Sequence, residues 1–486
     1  MSLSSAISSA LSGLAATTRG TEIVATNISN KSVAGYARRE LSLSSRVHAA
    51  DGAGVKIDGV QRMVNAALLR DSRIAQANAA ASGNISAFQG VMETTFGGAN
   101  DSSSLASMLT NFDSALISAS ARPDSDVRLR EVLDASTALS SKVRDISQAI
   151  ADARTTADTA IATDVERLNL SLARVASLNR QITALSSQGQ DTSSLMDLRQ
   201  AAIDEISETV PIVEVTRSNG QIALFTQGGI ALLDGSKPAS IEFSPAGDIA
   251  ADMTMQNGSL GTLVINGRSL SANELAGFAG GSIAANFEIR DRLAPGYQAK
   301  IDGWARDLYE RFSDPSVDPS LSPGSHGLFT DLHSAFDPAN ETGFASRIFV
   351  TGLVSPDQGG DLWRLRSGIQ AVEAGDVGAS DGLLRMSAVL SENRVPSSSS
   401  LSHSPRSLLT IAGELSSQAA SLRLSTEATA GQDQARSDSL TTARLSLGVD
   451  TDSEMQALLA LETAYAANAK VLQTTNDMLD QILRLT

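Results

Sequence analysis

Each end of this 486-residue chain carries an apolar strip too narrow to fold alone, and that constrains everything else the chain can build. At the N-terminus Leu3, Ala10, Thr17 and Val24 recur every seven residues, with Ile7, Leu14, Thr21 and Ile28 as the second series. At the C-terminus Leu458, Tyr465, Leu472 and Leu479 form one series, and Met455, Glu462, Ala469, Asn476 and Leu483 the other. This alternation of three- and four-residue steps is the seam of a coiled coil. A strip of about two residues in seven buries nothing until a second helix lies along it. Glu462 and Asn476 interrupt the C-terminal seam, and burying either without a partner costs roughly 1–3 kcal/mol. Residues 1–46 hold five basic and two acidic side chains, net +3, while 447–486 hold two basic and six acidic, net −4. Those signs favour the ends lying together, with salt screening the attraction.

Helical patterns also fill much of the interior. Val132, Leu139 and Ile146 with Ser136, Val143 and Ile150 give a seam that starts after the break at Arg122, Pro123 and Asp124. Leu168, Val175 and Ile182 with Leu172, Leu178 and Leu185 give another, running to a stop at Gly189. Residues 281–313 and 407–446 read as helix too. Between 211 and 275 the period shortens to two: Val213, Val215, Ile222 and Leu224 alternate across Asn219 and Gly220, a hairpin signal. Further turn pairs stand at Gly228-Gly229, Asp234-Gly235, Asn257-Gly258 and Asn266-Gly267. Pro315, Pro319 and Pro323 mark a loop, and Ser397 to Ser400 with Pro405 a linker.

The expected fold is therefore α+β and multidomain: a long coiled-coil-like α-helical rod built from both chain ends, with an inserted small antiparallel β domain. The expected divisions are a terminal helix and the motif after it (1–46, paired with 447–486) and a first rod segment (47–210). The β domain follows (211–280), then a second rod segment (281–330), a variable mixed region (331–400), a third rod segment (401–446) and the C-terminal helix (447–486).

Composition narrows the function classes. Lys and Arg total 38 against 54 Asp and Glu, a net charge of −16, so phosphate backbones and anionic lipid are repelled, which argues against nucleic acid or membrane partners. Cysteine is absent, which removes disulfides and thiolate metal sites. No two of the four histidines (His48, His326, His333, His403) stand at i, i+3 or i+4, which leaves a zinc site little support. Gly52 and Gly54 resemble the start of a dinucleotide loop, but Ile57 stands where the third glycine belongs. The stretch Asp314–Asp318 lacks the glycine and terminal glutamate of a calcium loop. No catalytic, cofactor or metal residue is nominated. The first eighteen residues carry no charge and no uninterrupted apolar run, unlike a cleaved secretory signal.

One segment stands out, residues 27–38, directly after the N-terminal seam. Asn27 and Asn30 can bond local backbone as the helix ends, and Gly35 permits a sharp turn. Tyr36 offers a ring with a polar tip and Arg38 a forked donor. Together Asn27, Ile28, Asn30, Gly35, Tyr36 and Arg38 resemble the N-terminal signature of the flagellar axial proteins, the rod, hook and hook-associated subunits. The chain departs from that signature at Ser29, Val33 and Ala34; the last replaces a usual proline, which would fix φ before the turn. Residues 54–62 resemble the strand after the motif. Gly448, Val449, Asp450, Glu454, Met455, Glu462, Tyr465, Lys470, Met478 and Leu479 resemble the family's C-terminal helix. The helical heptads after the motif, with 178–185, 195–199, 289–293 and 327–329, resemble the hook-associated branch.

That resemblance implies a structural, non-enzymatic subunit of the hook–filament junction, outside the cell on the flagellum. It implies export unfolded by the flagellar type III apparatus, with a chaperone on the C-terminal helix. It also implies assembly through two seams, Leu3, Ile7, Leu14, Val24 and Ile28 at one end and Met455, Leu458, Tyr465, Leu472, Leu479 and Leu483 at the other. The implied partners are further copies of itself, the hook protein and hook-associated protein 3. The alternatives are a hook-tube subunit, a secreted adhesin, or an axial protein with an enzymatic insert over 211–400; in that span the only histidines are His326 and His333.

Overall fold

The computed structural model describes residues 3–33, 35–48, 51–98 and 101–485. The chain opens with α1 (Leu3–Asn30) and turns into a long two-stranded ribbon, β1 (Arg39–His48) and β2 (Asp51–Arg62). Four helices follow: α2 (Ala66–Phe96), α3 (Leu105–Ala121), α4 (Asp126–Ser187) and α5 (Ser193–Thr209). The ribbon thus straddles the expected boundary at 46/47. The two separate seams read between 132 and 185 are one helix of 62 residues, roughly 93 Å at 1.5 Å per residue.

That helix is the spine of two cores set end to end. Its first half sends Val132, Leu139, Val143, Ile146 and Ile150 into a core shared with α3 and later elements. Its second half sends Ile161, Leu168, Leu172, Val175 and Ala176 into a core shared with α5 and the β strands. The seven-residue register steps by one residue between Ile150 and Ile161, and the buried Arg154, Ala157 and Asp158 carry the covered stripe across that step.

The β region is two small sheets. Strands β3 (Ile212–Thr216), β4 (Ile222–Thr226), β5 (Ala231–Asp234) and β6 (Lys237–Pro238) form an antiparallel meander. Strands β7 (Ile241–Glu242), β8 (Val264–Ile265) and β9 (Arg268–Ser269) form the second sheet. The β3–β4 hairpin turns at Asn219 and Gly220, both with positive φ, and β8–β9 at Asn266 and Gly267. After α6 (Ala272–Leu275) the chain returns to the rod as α7 (Gly281–Glu288), a π turn (Ile289–Leu293) and α8 (Ala294–Phe312). Pro295 lies at the start of α8 and has no N–H to give the preceding turn, which accounts for the widened turn there. Arg290 in that turn is fully buried, donating to Asp158 at 2.6 Å and to the Gly261 carbonyl at 3.0 Å. Arg154 caps the carbonyls of Ala250 at 2.8 Å and Met253 at 2.6 Å. These two arginines fasten the β region to α4.

Residues 331–400 are not an autonomous unit. Strands β10 (Phe329–Asp331) and β11 (Ile348–Val350), α9 (Phe344–Arg347), α10 (Arg364–Ser367) and α11 (Asp381–Ser391) bury Phe344, Ile348, Leu365 and Met386 in the first core. Asp302 of α8 anchors them by accepting the N–H groups of Gly343 at 2.7 Å and Ala345 at 2.8 Å. The expected linker at Ser397–Ser400 is packed instead: Ser398 is buried against Glu341, and Ser400 donates to the Ala299 carbonyl at 2.7 Å. Alternate residues are held in this way, while Ser397 and Ser399 remain exposed.

The last two helices run back along the molecule. α12 (Leu408–Ser446) starts in the first core, where Trp304 donates to the Leu408 carbonyl at 3.2 Å, and lies along α2. The facing surfaces of this pair are mostly Ala, Gly, Ser and Thr over its middle. α13 (Thr451–Leu485) then lies along α1.

Candidate functional site

The two chain ends meet where α1 stops. Asn30 donates back to the Thr26 carbonyl at 2.8 Å, and the chain reverses through bonds from Val33 to Asn30 (2.9 Å) and from Tyr36 to Val33 (3.2 Å). Gly35 sits at φ +79° against α5; a Cβ there would lie 3.0 Å from the Asp197 carbonyl oxygen and 3.1 Å from the Ala201 methyl. Only glycine permits both the turn and that approach. Ala34, where the family's proline is missing, lies outside the described residues.

Asn27 is the centre of the arrangement. It is 0% exposed and uses its whole amide. Its Nδ2 donates to the Arg39 carbonyl at 2.9 Å and to Glu454 Oε2 at 3.1 Å. Its Oδ1 accepts from the Tyr36 hydroxyl at 2.7 Å and the Arg39 N–H at 3.0 Å. The side chain therefore bonds the Arg39 backbone in both directions, as a neighbouring strand would. Glu454, 1% exposed in the first turn of α13, takes Arg38 Nε at 2.6 Å on its other oxygen. Burial alone would lower the Arg38 pKa, but its bonds to Glu454 and Glu40 outweigh that and raise it. Burial raises the Tyr36 hydroxyl; the Arg39 charge opposes, and Asp197 and Glu454 add to the rise. Ile28 is half-buried beside this cluster.

A second carboxylate holds the ribbon. Asp197 of α5 accepts from Arg62 Nε at 2.9 Å and Nη2 at 2.7 Å, from Arg39 Nη2 at 2.9 Å and from the Ala37 N–H at 3.2 Å. Two helical turns on, Asp204 takes Arg73 at 2.8 Å and Arg444, from the end of α12, at 2.9 Å. Three buried or half-buried carboxylates thus clasp α1, the ribbon, α2, α5, α12 and α13 together. A groove of about 590 Å³ opens beside the clasp, walled by Val33, Met63, Val64, Leu445 and Leu447.

Along the terminal helix pair the structure redraws the seams. On α1, Val24 is buried and Leu3, Ile7 and Leu14 are half-buried; the fully covered positions are mostly small, including Ala10, Ala16, Thr17 and Gly20. On α13, Leu458, Leu472 and Leu479 are half-buried, but Met455 (48%), Tyr465 (50%) and Leu483 (71%) are exposed. The second series facing α1 is Glu454, Leu461, Asn468 and Thr475, one residue earlier than the apolar pattern predicts. Gly13 and Gly20 explain the shift. Asn468 and Leu461 press onto them so closely that an added Cβ would lie 2.7 Å and 2.9 Å from those side chains. Glu462 and Asn476, which would have weakened the predicted seam, face solvent.

Glu454 and Asp197 are the site residues that apolar spacing misses. Each is polar and lies far along the chain from its partners, and Asn27 and Glu454 are separated by 427 positions. Among the described residues no group of three or more His, Asp or Glu could hold a metal ion, and no helix is long and apolar enough to cross a membrane. Asp314 and Asp318 each accept the N–H and hydroxyl of the serine two residues on. The chemistry present is that of a clasp: ion pairs and the hydrogen bonds of a buried side-chain amide.

The family model described as the flagellar hook-associated protein FlgK helical domain matches residues 90–315. That described as flagellar basal body rod FlgEFG protein C-terminal matches 446–485. Flagellar hook-associated protein 1 of Escherichia coli (strain K12) is 25% identical over 285 residues, 57% of this chain and 52% of that protein. The protein of the same name from Salmonella typhimurium is 27% identical over 251 residues, 50% of this chain and 45% of its own length. The chain thus spans about half the length of the curated relatives it matches. The solved flagellar hook junction protein FlgK from Burkholderia pseudomallei aligns with TM-score 0.45 and 18% identity, over 54% of this chain and 46% of that one, too slight a likeness to carry an argument.

Proposed function

We propose that the chain belongs to the flagellar hook-associated protein family, a structural family of the bacterial flagellum, and that it is a subunit of the junction between hook and filament and catalyses no reaction. The observation that carries this reading is the buried Asn27–Glu454–Arg38 cluster, which ties the axial motif to the C-terminal helix. The helical match over 90–315 favours a junction subunit over a hook-tube subunit. The subunit travels unfolded through the flagellar type III apparatus, with a chaperone on α13, and sits between the hook protein and hook-associated protein 3.

In this reading the ends order fully only among neighbours. Each buried Leu or Ile contributes roughly 1.5–3 kcal/mol, and the seam between α1 and α13 is largely small or polar. That is little to set against the entropy of fixing two long helices. Hydrogen exchange on the free monomer should find α1 and α13 unprotected and α4 protected; slow exchange in α1 and α13 would sink this assembly route. Localising the tagged chain on intact flagella by negative-stain microscopy tests the function itself, with label expected at the hook's distal end. Label spread along the hook would instead indicate the tube subunit. Deleting residues 2–18 should abolish secretion.

A further inference from the structure

The groove beside the clasp and the outer flank of α13 have matching characters. Val33, Met63, Val64, Leu445 and Leu447 are large apolar side chains left exposed around the groove, and Lys31 stands exposed at its rim. Arg38, Arg62 and Arg444 also line it but are paired with Glu454, Asp197 and Asp204, so the basic character of the rim is carried by Lys31. On α13, Met455, Leu459 and Glu462 fall at i, i+4 and i+7, on one face turned aside from α1. Asp452 precedes them, and all four are exposed. One surface is apolar and basic, the other apolar and acidic.

We propose that the groove receives the Met455–Glu462 face of α13 from a second copy of this chain. The inference rests on the reading of the protein as an assembling flagellar subunit. A chain cannot fill its own groove, because the root of α13 (Leu447 to Val449) is part of the groove wall. Glu454, held by Arg38 and Asn27, also fixes the rotation of that helix. The contact is therefore heterologous, groove to helix face. Each added copy leaves one groove and one helix face open, so the contact propagates around a layer rather than closing as a pair. Lys31 against Glu462 and Asp452 supplies charge complementarity, which sets orientation.

The absence of cysteine makes a clean test possible. One population carries Met63→Cys and the other Leu459→Cys; the two are co-expressed, and intact flagella are isolated and oxidised. Both positions are exposed, so neither substitution disturbs the fold. The expected result is a dimer-sized band that disappears on reduction. Met63→Cys alone, or paired with Leu170→Cys on the exposed face of α4, should give none. Incorporated subunits without the link, or an equal link to Leu170→Cys, overturn the groove assignment and leave the structural role standing. In parallel, Lys31→Glu should reduce incorporation severalfold and Glu462→Lys in the same chain should restore it; failure to restore counts against the proposal. If the unaltered chain is missing from flagella, the structural reading fails first.

Discussion

Asn27 shows how much one side chain can settle. Truncating it to alanine strands the Glu454 oxygen, the Tyr36 hydroxyl and both backbone groups of Arg39 in a buried site. Each stranded polar group costs about 1–3 kcal/mol. Asn27→Ala should therefore lower the urea midpoint at which assembled subunits dissociate, while the far-UV signal of the free rod stays unchanged. Asp302 offers a second check at this scale. Burial pushes its carboxyl up from 3.8 to about 6, against the bonds it accepts from Ala345, Gly343 and Gln298. The folded chain thus holds a proton that the unfolded chain has released between those values. The stabilisation from this group is complete below pH 3.8 and is lost as pH rises through about 6. The difference in urea midpoint between pH 4.5 and pH 7 should therefore shrink in Asp302→Asn, measured on the free monomer. An unchanged difference would show that the carboxyl titrates normally.

At the scale of the element, the terminal pair is decided by glycines. Gly20→Val would place a branched side chain where Leu461 already lies, so α1 and α13 must part or slip. Incorporation into flagella should fall to background while secretion and rod helicity persist; normal incorporation would mean the pair is not needed for assembly. The same glycines explain what the sequence could not display. Turn chemistry located hairpins at Asn219-Gly220 and Asn266-Gly267, because positive φ at those positions is a local property. The stripe on α4 was visible too, although its continuity across 62 residues was not, since Ala157 and Asp158 interrupt the large apolar side chains midway. The seam on α13 was displaced by one residue because counting apolar positions ignores how closely two backbones approach. Glu454 and Asn468 face α1 on account of what lies opposite them, and that is a tertiary fact.

At the scale of the whole molecule, two cores share one helix, and the chain's two tryptophans mark only one of them. Trp304 is fully buried in the first core and Trp363 is half-buried beside Leu362 and Leu365 of the same core. Leu172→Ala, in the second core, should cost about 2–5 kcal/mol. It should shift the far-UV unfolding transition while the tryptophan fluorescence transition stays in place, and coincident shifts would mean the cores unfold as one. The clasp residues Asp197 and Asp204 were legible only as part of a helix, for the long-range geometry that brings Arg39, Arg62 and Arg444 to them is set by this end-to-end arrangement. The unbroken α4 also makes the molecule a lever with its short arm at the clasp. A tilt of about 5° there carries the far end of a rod this long through roughly 8 Å. A substitution that only nudges the angle at Asp197 would therefore misplace surfaces on the opposite end by more than the width of a side-chain contact.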